Sequence, residues 1–165
     1  EADRLVSTYA ASEAALLTAV QASASGAVFT TVNSSRGDFR VLNNEGVTSA
    51  AVLMQASRSE FGDNLGQGRG THGKRQQHHR IAIVVFQARG QADDGTSYQA
   101  LQVTTDALIA YLDIYPRLNN ATNVKRAEVV EASEPRIRRD SAWIFQTVLV
   151  EVLTETAPVL VEGPH

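Results

Sequence analysis

Residues 62–80, GDNLGQGRGTHGKRQQHHR, gather side chains that could do chemistry: five of the chain's eleven glycines, the histidines His72, His78 and His79, and the cations Arg69, Lys74, Arg75 and Arg80. Three chemistries compete for them. A phosphate cradle requires G-x-x-x-x-G-K-[ST] between a strand and a helix, so that backbone amides and a helix N-terminus meet the phosphates. Here Lys74 is followed by Arg75, and the segment runs into IAIVVFQARG, which reads as a strand, so nucleotide binding is excluded. A metal site would draw on the three histidines, but neighbours in an extended chain point to opposite sides, and Asp63 is the one carboxylate nearby. Solvated histidines at a strand entrance are the expectation, with no metal and no cofactor. Contact with nucleic-acid phosphates is the third option, since the four cations cluster and glycine permits close backbone approach. A flexible charged loop is the simpler alternative.

Elsewhere the chemistry is thinner. The sequence contains no G-x-S-x-G and no H-E-x-x-H, and it has no cysteine, so a thiolate nucleophile, a thiolate zinc site and disulfides are all ruled out. Asp93 and Asp94 are adjacent carboxylates, but they stand where a helix begins, where capping and the helix dipole account for them. Arg136, Arg138 and Arg139 lie between two strand-like runs; they suit an acidic partner or a solvated hairpin tip. No enzymatic activity is expected. Fifteen Lys and Arg against eighteen Asp and Glu give a net charge of -3, which argues against a surface built throughout to coat DNA or an acidic membrane. No apolar run is long enough to cross a membrane, and EADRLVSTYA lacks the pattern of a secretory signal, so a soluble protein made in the cytoplasm is expected.

The elements that must hold these residues follow from periodicity. Leu5, Val6, Tyr9, Leu16, Leu17 and Val20 recur at helical spacing over residues 2–23. AVFTTV (27–32) reads as a strand, NSSRGD as a turn, DFRVLNN (38–44) as a short alternating strand, and VTSAAVLMQAS (47–57) as a further strand. A long loop is then expected over 58–79, of a length that in a compact domain is functional or disordered. RIAIVVFQARG (80–90) is apolar on both faces and reads as a central strand covered on each side. A second helix is predicted over 97–114, capped by Thr96 or Ser97 and stopped by Pro116. TNVKRAEVVEAS (122–133) and AWIFQTVLVEVLT (142–154) read as strands joined by a polar connection. The sum is an α+β domain over 1–157, with a mixed, mainly antiparallel sheet of four to six strands packed with two main helices, followed by an extended tail at 158–165.

The second half of the chain carries a resemblance. The apolar strand at 80–90 leads to a helix ending in Tyr115, Pro116, Leu118 and Asn119. Then comes a strand bearing Val124, Ala127 and Val129, and a last strand with Trp143, Gln146, Leu149, Val150 and Glu151. In this order the pattern resembles the tail terminator (tail completion, or neck) proteins of long-tailed bacteriophages. The resemblance implies a virion protein that forms a ring, usually of six subunits, at the head-proximal end of the tail tube. Such a ring stops tube polymerisation and joins the tail to a head connector or stopper protein, and DNA passes through its lumen without being read. Under that reading Arg69, Lys74, Arg75 and Arg80 belong to an assembly or lumen loop, and Arg136, Arg138, Arg139, Val159 and Leu160 are contacts to neighbouring subunits or the connector. The alternatives are an α+β module that holds a small ligand, or another head–tail connector component.

Overall fold

The computed structural model describes residues 8–23, 32–65, 74–90, 94–118, 121, 123–137 and 142–156. Its spine is a pair of long antiparallel strands, β4 (Lys74–Ala88) and β7 (Trp143–Thr156), in register from Arg75↔Thr156 to Ala88↔Trp143. Each has its outer side filled by a partner broken in two. Along β4 run β2 (Ser49–Gln55) and β3 (Glu60–Leu65), and along β7 run β5 (Val124–Ala132) and β6 (Arg136–Ile137). The break between β5 and β6 is stapled by Ser133, whose hydroxyl accepts from the Thr147 amide at 3.0 Å while its carbonyl accepts from Gln146 Nε2 at 2.7 Å. β1 (Val32–Arg36) adds in parallel to β2, so the strand order is β1-β2-β4-β7-β5, with β3 and β6 attached to β4 and β7. With α1 (Thr8–Ser23) and α2 (Asp94–Ile114), this is the expected α+β class with a mixed, mainly antiparallel sheet and two helices.

One face of the sheet carries the helices. Ile81, Ile83 and Val85 alternate along β4 with the period of two that a pleated strand imposes, and Ile144, Val148, Val150 and Val152 answer them from β7. Leu16, Ala19 and Val20 of α1 and Leu101, Leu108 and Leu112 of α2 close over them at helical spacing. Burying each of these leucine, isoleucine and valine side chains contributes roughly 1.5–3 kcal/mol. The α1 stripe also takes in Ser12, Glu13 and Ser23, and the hydroxyls of Ser12 and Ser23 donate to the carbonyls of Thr8 and Val20, at 2.9 and 2.6 Å. Pro116 ends α2 as expected, and the residues after it turn the chain sharply. The Leu118 amide donates to the Tyr115 carbonyl at 3.0 Å, Leu118 itself is buried at φ 51°, and the Pro116 carbonyl accepts from Ala127 of β5 at 2.6 Å.

Four expectations are corrected. DFRVLNN is a 3-10 helix (Phe39–Asn43), because Asp38 caps it: its carboxylate accepts from the Arg40 amide at 3.0 Å, and hydrogen bonding to Arg40 holds its pKa down at about 2. NSSR, expected as a turn, forms most of β1, while all of AVFTTV but Val32 lies outside the described residues. The loop expected over 58–79 is largely a hairpin, with β3 pairing the start of β4 through Glu60↔His78 and Leu65↔Lys74; residues 66–73 lie outside the described residues. Composition hid these strands because the QQHHR run is polar on both faces, and a period of two in hydrophobicity cannot register there. The ladder to the end of β7 supplies the backbone partners instead. Ser97 also does not start α2. The helix begins at Asp94, and the Ser97 hydroxyl accepts from the Gly90 amide at 2.8 Å, tying the helix to the end of β4.

Candidate functional site

The sheet face away from the helices has two unlike halves. Near the start of β7, Val84, Phe86, Trp143 and Phe145 project from the sheet, and Phe39 and Leu42 of the 3-10 helix stand against them. Phe86 is the hub: its ring lies edge-on to Phe39 and to Trp143 at centroid distances of 6.1 and 6.4 Å, and 6.1 Å from Phe145. Between them runs an apolar groove of about 670 Å³, with Arg136 and Ile137 of β6 on its wall. Cover on each side was the expectation for β4. Helices supply it on one face only, and the 3-10 helix closes the other in part, leaving Phe39 42% exposed.

Toward the other end of the same face the side chains are charged. Glu151 lies between His78 Nδ1 at 3.0 Å and Arg80 Nε at 3.5 Å, and Lys125 pairs with Glu155 at 3.0 Å. Pairs such as these, each with one partner well open to water, contribute about 1 kcal/mol or less. Their interest is in placement, because they correct the expected basic loop. Arg80 sits in mid-strand beside a carboxylate, about 20 Å along β4 from Lys74 at ~3.3 Å per residue, so the cations cluster in sequence but are strung out along a strand. Lys74 and Arg75 open β4, and Arg69 lies outside the described residues. Arg136 is exposed at the groove; Arg138, Arg139, Val159 and Leu160 fall outside the described residues. Among the described residues, no three His, Asp or Glu side chains converge as metal ligands.

The adjacent histidines take opposite faces of β4, as an extended chain requires. His78 meets Glu151, whereas His79 is buried beneath α1 with Ser59 Oγ 2.6 Å from its Nδ1 and the Tyr9 ring edge-on at 5.8 Å. Its Nε2 has no hydrogen-bond partner among the described residues. Burial, and secondarily the charge of His78, pushes the His79 pKa below its ordinary 6.5. The unfolded chain therefore takes up a proton that the folded chain resists. The resulting stability is fully present above pH 6.5 and is lost progressively as pH falls from there toward the depressed folded value. Urea unfolding at pH 8, 6.5 and 5.5 should show that decline in the wild type and a flatter profile in His79→Phe; identical profiles would exclude a buried neutral His79.

The aromatic groove was not identified from sequence, although a signal for it existed. A central strand that is apolar on both faces, in a sequence that predicts two main helices, leaves one face short of helical cover. No protein-family model matches the sequence, and no curated protein matches it. Among solved structures, the chain is similar to a chain of the virion of a native gene transfer agent (GTA) particle. The two are 14% identical, the alignment covers 90% of this chain and 99% of that one, and the TM-score is 0.46, too loose to bear on function.

Proposed function

We propose that the protein is a structural virion subunit that closes into a ring, six-membered by resemblance, at the head-proximal end of a phage tail tube. There it ends tube polymerisation and joins the tail to the head connector, with DNA passing through the lumen and no catalytic step. The observation that carries this reading is the incompletely covered apolar face: Phe39, Leu42, Trp143 and Phe145, gathered around the buried Phe86, form one continuous surface that the described residues leave partly in water. Contiguous apolar surface of this kind marks a site of association. The residues that carry the sequence resemblance also acquire structural roles. Pro116 and Leu118 make the turn that returns α2 to β5, and Trp143 opens the strand that forms the groove floor.

Edge-to-edge pairing through β5 is the less suitable route to a ring. β5, the last strand of the path, is interrupted by two register shifts and carries Lys125, Arg126, Glu128 and Glu131, devices that blunt an edge. Association through the face is therefore the favoured mode. Light scattering or native mass spectrometry across a concentration range, with and without tail tube protein, tests the reading. A closed ring, or a monomer that closes on tube ends, is the expected result. A monomer indifferent to tube at every concentration would defeat it and favour the second reading, a small apolar ligand in a groove whose volume suits one.

A further inference from the structure

The groove lies at one end of β7, and the chain leaves β7 at the other. We infer that in the assembled protein the groove of each copy receives residues 159–161, Val-Leu-Val, of a neighbouring copy. The inference rests on the ring reading and names the contact that closes the ring.

Reach decides which copy supplies the segment. Val161 follows Thr156 by five residues, so it can lie no more than about 18 Å from the strand end even when fully extended. Phe145 lies eleven residues back along β7, about 36 Å away at ~3.3 Å per residue. A chain therefore cannot fill its own groove with this segment, whereas an adjacent copy in a ring can present it. The bound is set by Val161 and is independent of how far the chain continues.

Chemistry decides the fit. Val159 and Val161 are β-branched, a residue type that suits extended docking, and Pro158 ahead of them is a poor fit for a helix interior. Three branched apolar side chains then match a groove walled by Phe39, Leu42, Val84, Phe86, Trp143 and Phe145. Glu162, immediately after them, matches the exposed Arg136 on the groove wall, a pairing that fixes the direction of docking more than its strength. The remainder of this face is occupied by the ion pairs around Glu151, whose charged groups an apolar segment would strip of water without offering a polar contact in return.

Because the chain has no cysteine, introduced thiols report alone. Full-length Leu42→Cys and full-length Leu160→Cys are prepared separately, mixed, and oxidised, and the joined peptides are identified by mass spectrometry while light scattering follows assembly. The expected result is a disulfide between positions 42 and 160 of different chains, at least ten-fold above a mixture in which Val130→Cys replaces Leu42→Cys. Phe39→Cys serves as a second groove position should Leu42→Cys fold poorly. Trp143, the single tryptophan, gives an independent signal: its emission shifts to the blue as the wild type assembles, and Leu160→Asp abolishes the shift. Rings without a 42–160 disulfide overturn the tail contact and leave the ring reading standing. Disulfides joining 42 to 42 overturn it in favour of face-to-face pairing of grooves. Absence of both assembly and disulfide at every concentration, with tail tube protein present, overturns both.

Discussion

Ile83→Ala is expected to lower the unfolding free energy by about 3–4 kcal/mol, within the range for deleting a large buried aliphatic side chain. Ile83 is fully buried at the middle of β4, where it stands opposite Leu53 of β2 and Val148 of β7, both also fully buried. Hydrogen-bonded neighbours on both sides fix the backbone, and the helices close over the face, so the surroundings have little freedom to collapse into the cavity. The contrasting substitution is Val130→Ala on β5, where the side chain is 46% exposed and the change should stay within about 0.5 kcal/mol. Urea titration of both variants at one protein concentration checks the pair. Comparable losses would mean that the centre of the sheet repacks as readily as its rim.

Arg36→Ala is the second large effect, expected at about 2 kcal/mol, between the values for exposed and for buried ion pairs because the Arg36 side chain is 41% exposed while that of Glu13 is nearly covered. Glu13 is buried on the inner face of α1, where it accepts from the Tyr9 hydroxyl and from Arg36 Nε at 2.8 Å. Burial first, and then the hydrogen bond to Glu13, push the Tyr9 pKa up, so the phenol remains a donor across the working pH range. Removing the guanidinium leaves a carboxylate in the α1–sheet interface with one neutral donor. The double variant Glu13→Leu with Arg36→Ala should recover most of the loss, since replacing both partners of a buried pair is far milder than orphaning one. A loss under about 0.5 kcal/mol in the single variant would mean that water reaches Glu13 in solution.

The contrast between β4 and the 62–80 segment shows which features were legible in the sequence. Ile81 to Phe86 could be placed from composition because burial on both faces selects the same apolar residues at every position. Lys74 to Arg80 could not, because strand formation there depends on backbone pairing to β3 and β7, and those partners are remote in sequence. DFRVLNN failed for a related reason: Phe39 and Val41 alternate as a strand would, but the Asp38 cap, a local hydrogen bond, tips the segment into a 3-10 turn. The candidate site was missed in the same way. Its aromatic residues come from the 3-10 helix, β4 and β7, and only the register Phe86↔Phe145 brings two of those elements together.

The register of the spine also sets the order in which the protein can acquire its structure. Arg75 pairs with Thr156, and β7 is the last of the seven strands among the described residues, yet it is the one that lies between β4 and β5. On a ribosome, β4 would emerge and pair with β2 and β3 while its other edge stayed open, awaiting a partner still to be synthesised. Pairings this distant in sequence form slowly, on the millisecond-to-second scale, and an unpaired apolar edge is prone to aggregation in the interval. Translation speed and chaperone supply between β4 and β7 therefore bear on the yield of assembly-competent subunits.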